Sequence, residues 1–331
     1  MSTHYDVIVI GGGASGMMAA GRAGEKGKKV LLLEQNKTLG RKLAITGGGR
    51  CNVTNAEMDT GILLKHFGSA EQFLYSAFSQ FGVKETFEFF ESRHLPLVVQ
   101  GRKRAFPKTE RAEDVVRVLE EYARGAGVEV KIGQAVSAVI SRDGKITSVC
   151  AGDEYIADTY VLATGGVSHP ETGSTGDGFD WLREFGHSVQ DPTPTIVPLK
   201  VSDVWVERMA GKTIPDAKVV FFVEGKRRLS VRGNVLVTHF GLSGPTILNS
   251  AGDVAELLEE GAVEARIDTN PDLDLGILEK KIIELFDAHK NKVLKNALDE
   301  VAPPGSVDTF LSLIPTLDPD KKVHSVTKEE R

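Results

Sequence analysis

The run Asp6-Val7-Ile8-Val9-Ile10-Gly11-Gly12-Gly13-Ala14-Ser15-Gly16 decides the fold. An apolar stretch that stops at glycines reads as a buried parallel strand entering a tight turn. Met17 to Gly24, with small Ala19, Ala20 and Ala23, then reads as a helix able to pack closely on a sheet. Val30 to Leu33 is a second strand, closed by Glu34, which completes a βαβ unit. Gly11, Gly13 and Gly16 keep the G-x-G-x-x-G spacing, so the helix N-terminus points free N–H groups and its positive end at a pyrophosphate. The Glu34 carboxylate suits ribose hydroxyls and repels a 2′-phosphate, which predicts FAD or NAD rather than NADP.

Gln35 to Asn55 is expected to be a loop, and connections of this kind usually run only about 2–6 residues. Its Gly47-Gly48-Gly49, beside Arg41, Lys42 and Arg50, offers bare backbone N–H groups and cations to a phosphate or a polarised ring carbonyl.

Length and charge narrow the class. The 331 residues favour two domains, and a net charge of −6 argues against a nucleic-acid protein, although a local basic patch stays open. Only two cysteines occur, Cys51 and Cys150, with no C-x-x-C or Cys/His cluster, so neither a disulfide framework nor a metal centre is expected. No signal peptide and no apolar run of the ~20 residues needed to span a bilayer is present, which predicts a soluble cytoplasmic protein.

Further along, Ser69 with Gln72 reads as a capping box, and Phe73, Ala77, Phe78 and Phe81 recur at helical spacing, an aromatic stripe expected in the core. Leu97 to Gln100 and Arg104 to Phe106 read as a hairpin around Gly101-Arg102-Lys103, a basic tip that either steers an anion or is a solvated turn. Arg111 to Ala126 is an amphipathic helix, and Glu129 to Lys131 a strand. Ala135 to Ser141, Ile146 to Ala151 and a third strand near Glu154 to Ala157 form a meander, before a separate buried strand from Thr159 to Gly166. Gly173-Ser174-Thr175-Gly176-Asp177-Gly178 reads equally as a second anion cradle or a capped turn.

Asp191-Pro192-Thr193-Pro194-Thr195 marks a linker, dividing residues 1–192 from residues 193–331. The second part shows strands near Val197 to Val201, Lys218 to Val223 and Leu229 to Val237, then Thr238 to Pro245 leading into a helix with Ser243 before Pro245. Helical segments follow at Leu275 to Asp287 and Val293 to Leu298, ahead of a polar tail.

These motifs together resemble the HI0933-like flavoproteins, also called the YhiN or BaiN-like group of NAD(P)/FAD-dependent oxidoreductases. The resemblance rests on Gly11 to Gly16, on Gly40 to Asn55 (GRKLAITGGGRCNVTN), on Ala163 to Gly166, on Gly173 to His187 and on Thr238 to Pro245. It implies an α/β Rossmann-like FAD-binding domain of the glutathione-reductase type, with a second substrate domain having a β-barrel-like part and a helical part from about residue 272. By the resemblance, FAD meets Gly11, Gly13, Ala14, Ser15 and Gly16 at its pyrophosphate and Glu34 and Gln35 at its adenosine ribose. Lys42, Thr46, Gly49, Arg50, Cys51 and Asn52 lie along the flavin and ribityl chain, Val136 lies at the adenine, and Ala163, Thr164 and Gly165 flank the pyrophosphate.

Family members continue with a glycine-rich return of the form GLYFAGEVLDVDGxTGGYN, expected to begin where this chain reaches Arg331. The expected activity is hydride transfer through flavin N5 to or from a small-molecule substrate. No second G-x-G-x-x-G unit follows the first, so a separate NAD(P)H domain is missing, which leaves open an oxidase, a reductase with transient NAD(P)H access as reductant, or a dehydrogenase. The alternative is a truncated or non-catalytic flavin-binding module. No membrane or nucleic-acid partner is expected. His239 is a candidate proton carrier or a structural histidine, and Cys51, without a partner cysteine, a packing residue. The sequence assigns no catalytic residue and no oligomeric state.

Overall fold

The computed structural model describes residues 4–330, except for the side chain of Ser69. It divides into two units, one ending at Pro192 and one starting at Thr193.

The first unit is built on a six-stranded sheet in the order Glu129–Ile132, Val30–Glu34, His4–Ile10, Asp153–Leu162, Lys145–Ala151, Ala138–Arg142. The first four strands are parallel and the last two antiparallel. Its centre is buried on both faces, as the apolar runs require. Val9 and Leu32 pack toward the helices Ala14–Glu25 and Ala112–Gly125, while Ile8, Ile10, Leu31 and Leu33 face Tyr5, Val149 and Tyr155.

The expected separate strands at 154–157 and from Thr159 are one strand, Asp153–Leu162. It pairs antiparallel through Asp153 to Tyr155 and parallel to His4–Ile10 from Ile156 onward. Asp158 is the one turn-forming residue between Ile156 and Leu162, and with no glycine or proline beside it the chain has no cause to break there.

The two covering helices approach closely because position 21 is glycine: a Cβ there would sit 2.4 Å from Cε1 of Tyr122. The Tyr122 ring lies edge-on to Phe89 at 5.0 Å and under the Arg93 guanidinium at 4.7 Å. Burial, reinforced by a hydrogen bond to Glu25, pushes the Tyr122 phenol up to about 12. Since the folded value lies above the ordinary value of about 10, the native state keeps a proton that the unfolded chain has lost. This stabilisation is full below pH 10 and disappears as pH rises toward 12. Tyr122→Phe should therefore show a smaller fall in denaturant midpoint between pH 9 and pH 11.5 than the parent protein.

The aromatic stripe is a correction. Helix Glu71–Gln80 buries none of its residues; Phe73 is 84% exposed, whereas Phe89, Phe90 and Phe106 are in the core. Helical period shows that one face is apolar but not that anything covers it. The helix starts after Ala70 with no side-chain cap, and the capping hydroxyl expected from Ser69 lies outside the described residues.

The stretch expected as a loop opens as a helix. Arg41–Gly49 is helical but broken at Thr46 (ψ 152°) and at Gly47 and Gly48, both left-handed. Lys42 to Ile45 are adequate helix formers, and the glycines alone accept the positive φ that reverses the chain. Thr54–Asn55 then joins the hairpin Leu97–Gln100 and Arg104–Pro107 in a three-stranded sheet.

The second unit holds a five-stranded antiparallel sheet in the order Leu199–Lys200, Gly241–Ser243, Lys226–Thr238, Thr213–Val223, Val263–Asp268. Phe221, Val219 and Val235 pack against Ile247, Val254 and Leu257 of the helix Pro245–Glu260. That helix has Gly244 at its N-cap and no capping side chain, because Ser243 is buried at the end of a strand. Helices Leu275–Ala288, Leu294–Leu298 and Val307–Ser312 follow, the last lying in what was expected to be a polar tail. Among the described residues no helix is long and apolar enough to cross a membrane.

Candidate cofactor site

The turn after the first strand is set by close backbone approaches. Gly11 has φ 107°, and a Cβ on it would lie 2.4 Å from the carbonyl oxygen of Ala163; a Cβ on Gly16 would lie 1.8 Å from that of Gly11. Strand end, helix start and the end of Asp153–Leu162 meet here with only hydrogen atoms between them. Gly13 differs: a Cβ there would meet nothing within 4 Å. Gly13 is the N-cap of Ala14–Glu25, with no side-chain cap and no acid in the first turn. The helix thus offers uncapped N–H groups and its positive end to open space.

Glu34 is 7% exposed. Its carboxylate accepts the Gly12 N–H at 2.6 Å, the Asn36 N–H at 2.7 Å and the Asn36 side-chain amide at 2.6 Å. Asn36 in turn donates to the Thr172 carbonyl at 3.0 Å and accepts from Arg41 at 3.0 Å, while Gln35 donates to the Gly173 carbonyl at 2.6 Å. The end of Val30–Glu34 is thereby fastened to the segment that follows Asp153–Leu162.

Between them lies a cavity of about 400 Å³, within the range of roughly 300–1,000 Å³ common for small-molecule sites. Of the residues expected at a cofactor, Gly11, Gly13, Ala14, Ser15, Glu34, Gln35, Lys42, Thr46, Val136, Ala163, Thr164 and Gly165 line it. Gly16, Gly49, Arg50, Cys51 and Asn52 do not. Gly16 packs beneath the turn instead. The Arg50 guanidinium sits over the Phe106 ring, 4.4 Å from its centroid, with Nη1 at 3.4 Å from both Gln100 and Glu110. Cys51 is 2% exposed within the core, and burial pushes its thiol up, away from a reactive thiolate.

The Lys42 ammonium makes no ion pair among the described residues; burial pushes its pKa down, against the pull of Glu171. Other lining residues were not expected, including Asn36, Gln134, Ser174, Asp177 and Trp181. Ser174 and Asp177 belong to the glycine-rich stretch that resembled an anion cradle. Gln134 and Trp181 carried no signal, since only the sheet topology brings them here. No group of three or more His, Cys, Asp or Glu among the described residues could hold a metal ion.

A family model described as the HI0933-like protein Rossmann domain matches residues 5–263. The chain belongs to the HI0933-like family. Its relatives include the 3-dehydro-bile acid delta(4,6)-reductase of Clostridium scindens, 32% identical over 288 residues, which are 86% of this chain and 68% of that protein. The ribosomal RNA dihydrouridine synthase of Escherichia coli is 28% identical over 313 residues, 94% of this chain and 74% of that protein. Among solved structures, a 3-ketosteroid-delta4-(5alpha)-dehydrogenase from Rhodococcus jostii is 17% identical with a TM-score of 0.47, covering 68% of this chain and 61% of that one. This HI0933-like protein is a flavoprotein of the FAD-dependent oxidoreductases, and its cofactor is FAD.

Proposed function

We propose that the first unit holds FAD along this cavity and that the enzyme transfers hydride to a carbon–carbon double bond conjugated to a carbonyl. The observation that carries the cofactor placement is the uncapped helix end at Gly13, which shares the cavity with the buried carboxylate of Glu34. The two fit opposite ends of an adenosine diphosphate, an anion at the helix end and ribose hydroxyls at the carboxylate. The reaction class is supported by the relatives: a 3-dehydro-bile acid delta(4,6)-reductase and a ribosomal RNA dihydrouridine synthase are each named for reduction, which we read as saturation of a double bond conjugated to a carbonyl.

FAD, when bound, supplies or accepts hydride at N5. The chain's own residues bind and orient. Gly11 to Ser15, with Ala163 to Gly165, would enclose the pyrophosphate with Gly16 supporting the turn from beneath, Glu34 and Gln35 would hold the ribose, and Val136 would lie at the adenine. Lys42 and Thr46 would lie along the ribityl chain, and the flavin would extend past Thr46, beyond the cavity's lining, toward Gly49 and Arg50, while Cys51 packs in the core behind them. Arg50, held on Phe106 and flanked by Glu110, is the cation we assign to polarising a substrate carbonyl, which favours hydride arrival at the conjugated carbon. NADH or NADPH is the reductant in this reading, and the second unit is the substrate domain.

The purified protein should absorb as a flavoprotein, bleach on anaerobic NADH or NADPH, and recover its colour with cyclohexenone. Failure to take up FAD on reconstitution would sink the placement, and bleaching without recovery would sink the reaction class. Within this reading, Lys42→Gln should weaken FAD binding by about tenfold, as for one charge-assisted contact. The difference should shrink at high salt in a flavin fluorescence titration.

A further inference from the structure

We propose that the exposed helix Glu71–Gln80 is a two-fold docking surface for a second copy of this chain. The proposal does not depend on the reaction assigned above.

The helix is held from one side only. Phe78 packs on Phe67 with ring centroids 6.1 Å apart, and Phe81, at the end of the helix, meets the core residue Phe89 at 6.2 Å. Leu63 and Leu64 of the adjoining helix Thr60–Leu64 are buried. The turn into Val83–Glu91 is tight as well: a Cβ on Gly82 would lie 2.8 Å from the Phe78 carbonyl oxygen, and the Gly82 N–H donates to Glu85 at 2.9 Å. The other side meets solvent. Phe73, Ala77 and Phe81 follow one another at i, i+4 and i+8, with Gln72, Ser76 and Gln80 on the ridge beside them, and all six are exposed.

Charge, order and area together select a copy of the chain as the occupant. From Gln72 to Val83 no residue is charged, in a chain with 26% charged residues. A two-fold axis brings each residue near its own copy, so a charge beside the axis would meet itself. A helix that lies on lipid carries Lys or Arg on its polar face, where this one has glutamine and serine. Ser79 and Gln80 both donate to the Ser76 carbonyl, at 2.9 and 3.3 Å, so covering them strands few polar groups.

Phe73-x-x-x-Ala77-x-x-x-Phe81 reads the same in both directions, as does Gln72-x-x-x-Ser76-x-x-x-Gln80. An antiparallel copy thus sets Phe73 against Phe81 of the second copy, twice over, with small Ala77 at the crossing where ridges approach. Glutamine amides, donor and acceptor at once, can pair along the same seam. Phe73 is 84% exposed, and Ile62, Phe67 and Phe81 are each a little under half exposed, which leaves roughly 400 Å² of apolar surface at ~200 Å² per side chain. A standard interface of ~800 Å² per partner is a little over half apolar, which is about that amount.

The test is sedimentation equilibrium of the full chain over a wide range of concentration. The parent should be a dimer, and Phe73→Glu should raise its dissociation constant about a hundredfold, as for loss of a central aromatic anchor. Because Phe73 is exposed, the variant should keep the parent's circular dichroism. Ala77→Cys, oxidised in air with copper phenanthroline, should give a disulfide-linked pair, since two identical thiols meet at the axis. Tyr75→Cys, which points away from Ala77 on the helix, should not. A parent that stays monomeric across the range would overturn the proposal. So would a dimer unchanged by Phe73→Glu, which would place the contact on another surface, or equal cross-linking through Tyr75→Cys. A monomer that floats with phosphatidylcholine vesicles, and ceases to as Phe73→Glu, would assign the helix to a lipid surface instead.

Discussion

Gly16→Ala is expected to purify without flavin and to lower the melting temperature of the first unit by roughly 6–12 °C. A Cβ on Gly16 would lie 1.8 Å from the Gly11 carbonyl oxygen and 3.3 Å from the Ala163 side chain. The nearest obstacle is backbone, so no rotamer change relieves it. The helix must move away from the sheet, at the upper end of the ~1–3 kcal/mol typical of overpacking. Each kcal/mol corresponds to about 2–4 °C for a unit of this size. The same displacement carries the first-turn N–H groups away from the anion they are proposed to meet. Gly13→Ala is the control: its Cβ enters open space, so stability should hold while FAD affinity falls. Loss of stability in Gly13→Ala, or retention of flavin in Gly16→Ala, would contradict this division of labour between the two glycines.

Glu34→Ala should cost about 3 kcal/mol of stability and raise the dissociation constant for FAD about a hundredfold. The carboxylate accepts two backbone N–H groups, from Gly12 and Asn36, and the Asn36 amide. Removing it orphans buried donors at ~1–3 kcal/mol each, and hydrogen bonds to a charged acceptor are worth ~1.5–3 kcal/mol. Glu34→Gln keeps the shape but turns one acceptor into a donor, which then faces an N–H. It should lie between alanine and the parent in both urea denaturation and flavin titration. A glutamine variant indistinguishable from the parent would mean that the carboxylate orders the turn by shape alone.

What could be read in the sequence was what local stereochemistry dictates. The glycine turn and Glu34 were legible because only glycine tolerates the approaches at Gly11 and Gly16, and because a carboxylate closing that strand has one usual task. Thr46 was placed by the resemblance alone, Lys42 also by its charge beside the glycines. Gln134, Trp181 and Asn36 were not legible: their place at the cavity depends on which strands become neighbours, a long-range outcome that no local pattern encodes. The exposed helix Glu71–Gln80 shows the same limit from the other side, since Phe73 has the spacing of a core residue and no core to enter. Strand Val263–Asp268 was missed because half its residues are charged; it is the edge of its sheet, where one side of the ladder faces water.

The continuous strand Asp153–Leu162 also sets the order in which the molecule can be made. His4–Ile10 leaves the ribosome early, and Val30–Glu34 soon covers one of its sides, but its other side pairs with Ile156 to Leu162. At ~5–20 residues per second of synthesis, that apolar edge waits on the order of ten seconds or more for its partner. Until then Ala163 is not yet against Gly11, and the turn proposed to hold the dinucleotide has nothing to close on. On the proposed placement, FAD capture is a late event in the birth of this chain. In the interval the nascent strand is the segment with most need of a chaperone.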